Sequence, residues 1–109
     1  MKIQFLESSS PGLRWMRRYF REQPQLNKEA ALESYKNTKN LLRQEPYIGH
    51  VFDEMDGIFE LRISKTNFSV LYTVKDETIY VIDIRDQRGF RSSIALQQYS
   101  QLLKKKYGL

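Results

Sequence analysis

The strongest constraint on the fold is an alternation of apolar and polar residues in the second half of the chain. Apolar residues recur at every second position over 59–63 and again over 68–74, and residues 78–85 are rich in β-branched types. A period of two is typical of a strand with one buried face. Short turns at Lys65-Thr66 and Asp76-Glu77 separate the three stretches, so the sequence predicts an antiparallel meander.

Two helices are predicted between a first strand at residues 2–7 and this meander. Ser10-Pro11 supplies an N-cap followed by proline at the first helical position. The second helix is predicted to run from the cap Asn27 to about Gln44. Because the break between the two helices is short, we expect them to form an antiparallel hairpin.

A last helix is predicted at the end of the chain, where Leu96, Tyr99, Leu103 and Tyr107 share one face. The segment 47–57 is expected to be a loop. The order β-α-α-β-β-β-α predicts one α+β domain over residues 1–109. In it, the helical hairpin packs on one face of a small, largely antiparallel four-stranded sheet.

Composition excludes several classes of function. The 109 residues include no cysteine and a single histidine, so disulfides, thiol catalysis and thiolate metal sites are excluded. No apolar run approaches the roughly 20 residues of a transmembrane helix. The first residues contain no apolar core of a signal peptide. We therefore expect a cytoplasmic protein that does not bind membranes.

The net charge of +5 is unevenly distributed along the chain. Residues 1–50 have nine basic and five acidic side chains, residues 51–82 have three and six, and residues 83–109 have six and two. The balances are thus +4, −3 and +4. A basic protein with an acidic middle favours a polyanionic or acidic partner, although ordinary solvated surface charge explains the excess equally well.

Common catalytic and cofactor motifs are missing from the sequence. The one imidazole, His50, precedes Asp53, Glu54 and Asp56, but this spacing matches no zinc or calcium site. The sequence also has no G-x-S-x-G elbow, no P-loop and no dinucleotide fingerprint. We expect no metal and no cofactor.

The alternation also predicts which side chains lie on the face of the sheet away from the hairpin. With Phe59 facing the helices on the first strand, and Tyr80, Ile82 and Ile84 facing them on the third, an open face remains. This face would collect Glu60, Arg62, Ser69, Thr73, Asp83 and Arg85, followed by Arg88 and Arg91. Such a face is suited either to phosphate binding or to cross-strand ion pairs, for instance between Arg62 and Asp83.

The second half of the chain resembles the RelE/ParE superfamily of toxins from bacterial type II toxin–antitoxin pairs. The resemblance lies in the runs GIFELRI (57–63), FSVLY (68–72) and IYVIDIRDQR (79–88), and in LRQEP (42–46) at the end of the second helix. It implies an acidic antitoxin that neutralises the toxin. It also implies one of two activities: RelE-like members are metal-free ribonucleases that cut messenger RNA on the ribosome, whereas ParE-like members poison DNA gyrase.

The residues at the nuclease positions match only in part. RelE-like nucleases have two basic residues on the first meander strand, an arginine on the middle strand and further Arg, His or Tyr after the third. This chain has Glu60 and Arg62, then Ser69, then Gln87 and Arg88. Cleavage of RNA without a metal needs a base for the 2′-hydroxyl and cations for the transition state. If the chain is a nuclease, the candidates are Glu60, Arg62 and Arg88.

The long hairpin and the basic end of the last helix favour the ParE-like activity. As a target-binding set, in contact with the antitoxin or with gyrase or the ribosome, the sequence offers Arg62, Arg85, Arg88, Arg91, Lys104, Lys105 and Lys106. The favoured prediction is a gyrase-directed toxin, with a ribosome-dependent nuclease as the alternative. A third hypothesis is a non-toxic nucleic-acid-binding module that uses the basic ends of the chain.

Overall fold

A single five-stranded sheet organises the structure, a computed structural model that describes residues 1–52, 55–89 and 91–109. The strands are β1 (Lys2–Phe5), β2 (His50–Val51), β3 (Phe59–Arg62), β4 (Phe68–Lys75) and β5 (Thr78–Asp86), in the spatial order β1-β5-β4-β3-β2. Strand β1 is parallel to β5 and the other pairs are antiparallel. The α+β class is confirmed, and the sheet is mixed.

The predicted meander and its turns are confirmed. Strand β3 pairs with β4, and β4 pairs with β5, through the turns that the sequence predicted. Lys65, Asp76 and Glu77 have φ values of 63°, 50° and 60°. Two consecutive residues with positive φ form the tight hairpin turn whose twist matches that of the strands on either side.

Strand β2 was not predicted. Its two residues lie in the segment expected to be a loop, and they pair His50 with Glu60 and Val51 with Phe59. The prediction of a four-stranded sheet was therefore wrong, because β2 adds a fifth strand. A strand of two residues has no alternation to detect, and its pairing depends on β3 rather than on its own sequence.

The helical hairpin consists of α1 (Ser10–Glu22) and α2 (Lys28–Gln44), where two helices were predicted. The predicted cap of α1 was wrong: Ser10 is already helical, and Ser9, which precedes the helix, makes no side-chain capping hydrogen bond. Asn27 caps α2, since its Oδ1 accepts a hydrogen bond from the backbone N–H of Ala30 at 2.9 Å. Met16 and Leu42 pack against the sheet in the first core cluster. The other buried residues of that cluster are Ile63, which directly follows β3, and the strand residues Phe68, Val70, Tyr72, Ile79, Val81 and Ile84.

A β-bulge in β5 corrects the predicted orientation of that strand. Tyr72 pairs with Val81, but the preceding residue Leu71 pairs with Asp83, so Ile82 is an extra residue. As a result Ile84 faces the hairpin, as predicted, whereas Tyr80 and Ile82 lie on the opposite face. The prediction for Tyr80 and Ile82 was wrong because a bulge interrupts the period of two.

The face opposite the hairpin is covered by the C-terminal helix rather than open. This helix consists of α3 (Arg91–Gln98), a π-helical stretch (Tyr99–Leu103) and a last turn (Lys104–Lys106). Its predicted apolar stripe packs on the sheet in a second core cluster. The buried members of that cluster are Leu6, Phe52, Ile58, Leu71, Ile82, Leu96, Tyr99 and Leu103. In the described part of the chain, none of the helices has the length and apolar character needed to cross a membrane.

Candidate target-binding surface

Three predicted face residues lie in register across β3, β4 and β5, in a row at the end of the sheet where β3 and β5 end and β4 begins. Arg62 on β3 is opposite Ser69 on β4, and Ser69 is opposite Arg85 on β5. Adjacent strands are about 4.8 Å apart, so the Cα atoms of the two arginines are separated by roughly 10 Å. All three residues lie on the side of the sheet that the C-terminal helix partly covers.

Glu60 connects two of these strands. Its Oε2 accepts a hydrogen bond from Ser69 Oγ at 2.5 Å and forms an ion pair with Arg85 NH1 at 2.8 Å. The Arg85 guanidinium also lies 5.7 Å from the centroid of the Phe52 ring. Ser69 is fully buried and the other two polar side chains are mostly buried. Glu60 and Arg85 thus form a cross-strand ion pair, which was one of the two uses predicted for this face. The paired residues differ from the predicted example of Arg62 and Asp83.

The predicted ion pair between Arg62 and Asp83 was wrong. The register places Arg62 opposite Ser69 but Asp83 opposite Leu71, which moves the two residues apart along the strands. The Arg62 Nε instead donates to the backbone carbonyl of Thr66 at 3.0 Å. Arg62 remains exposed at the end of β3, whereas Asp83 is buried next to the start of α1.

Arg88 belongs to a separate cluster around Asp86, on the hairpin side of the sheet. Asp86 pairs with Phe68, a member of the core beneath the hairpin. Its carboxylate accepts hydrogen bonds from Trp15 Nε1 and Asn67 Nδ2, each at 2.9 Å, and from Arg88 Nε at 3.2 Å. Burial by itself would raise the pKa of Asp86, but the hydrogen bonds from Arg88, Trp15 and Asn67 outweigh it and hold that pKa well below its usual range.

Arg88 itself is held in two ways. Its guanidinium is paired with Asp86 and lies 4.8 Å from the centroid of the Tyr19 ring. The hydrogen bonds to Asp86 raise the pKa of Arg88 above its ordinary value. Because Glu60 pairs with Leu71 on the other face, the two nuclease candidates Glu60 and Arg88 lie on opposite faces of the sheet.

The three lysines of the predicted set are far from the arginines. The C-terminal helix begins after β5 and ends where Lys75 contacts the carbonyl of Gly108. Its 16 residues span roughly 20 Å. Lys106 is paired with Glu7 at 3.0 Å, while Lys104 and Lys105 are exposed. The side chain of Arg91 lies outside the described part of the structure. The predicted set therefore does not form one surface.

Another basic group lies on the first helix of the hairpin, outside the predicted set. Arg14, Arg17, Arg18 and Arg21 are all exposed on α1. Their spacing of three, four and seven residues is the signal that identifies them, because it places all four on one side of a helix.

The acidic loop near His50 is described only in part. His50 lies in β2, while Asp53 and Glu54 fall outside the described residues. Within the described ranges, no three His, Cys, Asp or Glu side chains are grouped closely enough to hold a metal ion.

Comparison of the sequence with protein-family models and with curated proteins gave no match.

Proposed function

We propose that the chain is the toxin of a type II toxin–antitoxin pair, that an acidic antitoxin neutralises it, and that it acts on DNA gyrase. The observation that supports this proposal is the order of the helices and strands along the chain. A helical hairpin follows β1, the short strand β2 and then a three-stranded meander follow the hairpin, and a helix closes the chain. The resemblance to the RelE/ParE superfamily implies the same order without β2.

The positions of the nuclease candidates favour gyrase over messenger RNA. A metal-free ribonuclease needs a base and cations that converge on one phosphodiester. Glu60 Oε2 is already engaged by Ser69 and Arg85, and Arg88 lies on the other face of the sheet. No shared position for a scissile phosphate lies between Glu60 and Arg88, so the activity is better explained by binding to a protein target.

The distribution of charge supports an acidic antitoxin. Arg62, Lys104 and Lys105 are exposed, and none of them is within 4.0 Å of an acidic side chain among the described residues. These cations lie near opposite ends of the sheet, so an extended acidic segment could neutralise both groups without burying a single compact site. Disordered segments are well suited to wrap such separated sites.

Two assays on the purified protein test the proposal. In the first, the protein is added to gyrase and supercoiled DNA, and cleaved DNA complexes are counted. In the second, it is added to ribosomes translating a defined messenger RNA, and cuts are mapped. We expect cleaved gyrase–DNA complexes and intact messenger RNA.

Variants make the result specific. Arg62→Ala should reduce gyrase poisoning at least tenfold, because Arg62 is the exposed cation in the row of Arg62, Ser69 and Arg85. Lys36→Ala, an equal loss of charge on the exposed side of α2, is the control and should have no effect. Ribosome-dependent cuts that disappear in Glu60→Gln would overturn the gyrase proposal and support the nuclease.

A further inference from the structure

The exposed side of α1 is the most strongly charged surface outside the predicted set. Its four arginines, named here the arginine face, are Arg14, Arg17, Arg18 and Arg21. A helix turns by about 100° per residue, so these four positions fall within an arc of about 100°. The opposite side of α1 is occupied by Met16, which is buried in the core below the hairpin. The arginine face therefore points to solvent along the whole helix.

Little within the protein neutralises this face. Arg18 Nε lies 3.8 Å from Glu22 Oε1, and the two side chains are 60% and 62% exposed, respectively. Such a pair is weak in water. Across the described residues, no carboxylate lies within 4.0 Å of Arg14, Arg17 or Arg21. Helix α1 thus presents four cations and one anion, and three of the four arginines have no carboxylate partner among the described residues.

The shape of the face points to phosphate rather than to an acidic peptide. The arginines line a shallow depression of about 380 Å³ together with Pro11 and Trp15. Those two are its apolar lining residues within the described structure, and Trp15 is already bound to Asp86 through its indole nitrogen. Protein and peptide partners usually bind through buried apolar anchor side chains. The apolar groove of about 410 Å³ beside Arg17 and Arg21 lies between α1 and α2, not beneath the four arginines. Guanidinium groups bind phosphate oxygens in a bidentate manner, as four neighbouring lysines would not.

We infer that the arginine face of α1 is a binding site for the phosphodiester backbone of a nucleic acid. From Arg14 to Arg21 the helix axis rises roughly 10 Å, about the rise of three nucleotides on one strand of a duplex. Contacts of this kind position a protein without reading sequence. The inference goes beyond the proposed function, because it concerns a different surface and does not depend on toxicity.

Binding is measured by fluorescence anisotropy with a labelled 20-base-pair DNA duplex and a labelled RNA hairpin of equal length, each at several salt concentrations. Three to four phosphate contacts predict a slope of log Kobs against log[salt] of about −3 for duplex DNA. Affinity should then fall roughly 50- to 100-fold between 50 and 200 mM salt. The two probes identify whether DNA or RNA supplies the backbone.

Charge-matched variants localise the site. Arg14→Gln/Arg21→Gln removes two cations that have no acidic partner, and glutamine preserves helix propensity. We expect the slope to become less negative by about 2. Lys36→Gln/Arg43→Gln removes the same charge from the exposed side of α2 and should leave the slope unchanged. Glu22→Gln removes the one acid on α1 and should tighten binding.

Two results would overturn the inference. Equal losses in both double variants would mean that net charge, rather than the arginine face, attracts the nucleic acid. Tighter binding of a poly-glutamate peptide of the same charge, with the same dependence on Arg14 and Arg21, would assign the face to an acidic protein. A circular-dichroism melting curve on each variant separates lost binding from lost folding. Growth arrest plays no part in this readout, so its absence would contradict the proposed function alone.

Discussion

The indole nitrogen of Trp15 donates a hydrogen bond to Asp86 Oδ2 at 2.9 Å, which joins two residues 71 positions apart in the chain. The bond fixes the first helix of the hairpin to the end of β5. The same carboxylate accepts hydrogen bonds from Asn67 and Arg88. Asp86 therefore joins the helix, the β3–β4 turn and the end of the meander, and it should matter more for stability than an ordinary surface acid.

Asp86→Asn tests this role. An amide presents one acceptor oxygen instead of two and directs an NH₂ group at one of the present donors. We expect the free energy of unfolding at pH 7, measured with urea, to fall by about 1–3 kcal/mol. Asp76→Asn is the matched control, because Asp76 is exposed and its φ of 50° is one that asparagine adopts readily.

The pH dependence of stability follows from the same carboxylate. The pKa of Asp86 is held below its usual range in the folded state, so the unfolded chain takes up the proton first as the pH falls. The stabilisation should be complete above about pH 4 and decline below it. The free energy of unfolding, measured with urea between pH 5 and pH 2, should therefore decline less in Asp86→Asn than in wild type. An identical decline in wild type and variant would contradict the role given to Asp86.

Gly12 marks a close approach between α1 and β5. A Cβ at this position would collide with the carboxylate of Asp83 and the backbone carbonyl of Ile84. Gly12→Ala should therefore destabilise the protein by about 1–3 kcal/mol, despite the better helix propensity of alanine. At Gly89 the nearest atom to such a Cβ is the Asp86 carbonyl at 3.9 Å, so thermal unfolding of Gly89→Ala should match wild type. A Gly12→Ala protein as stable as wild type would mean that α1 lies farther from β5.

The C-terminal helix depends on apolar packing against the sheet. Leu103 is buried in the second core cluster, while its neighbour Leu102 is 70% exposed. Leu103→Ala should lower the free energy of unfolding by about 2–5 kcal/mol because it leaves a cavity. Leu102→Ala should change it by less than about 0.5 kcal/mol. Equal effects on urea unfolding would show that the helix does not cover this face.

Local sequence patterns predicted most of the fold. The alternation over 59–74, the Asn27 cap and the stripe from Leu96 to Tyr107 each depend on neighbours along the chain, and each was confirmed. The bulge at Ile82 and strand β2 depend on partner strands, and no local pattern encodes them. The same limit applies to the covered face, because the stripe of the last helix does not specify which side of the sheet it packs against.

The candidate site was less predictable than the fold. The sequence placed Glu60 and Arg85 on one face, which is right, but it could not assign their pairing, since that depends on register to within one residue. Arg88 follows the strand, where alternation no longer applies, and its position depends on Tyr19 and Asp86. The arginines of α1 were visible in the sequence, yet only the folded hairpin shows that they face solvent.

Controlled expression of the chain in bacteria tests whether it is a toxin. The protein is induced from a tightly repressed promoter, colony-forming units are counted over several hours, and soluble protein is quantified in the same cultures. We expect viable counts to fall at least tenfold, with an SOS response, and we expect co-expression of an acidic antitoxin encoded by the adjacent gene to restore growth. Uninterrupted growth while folded, soluble protein accumulates without an antitoxin would contradict the proposal.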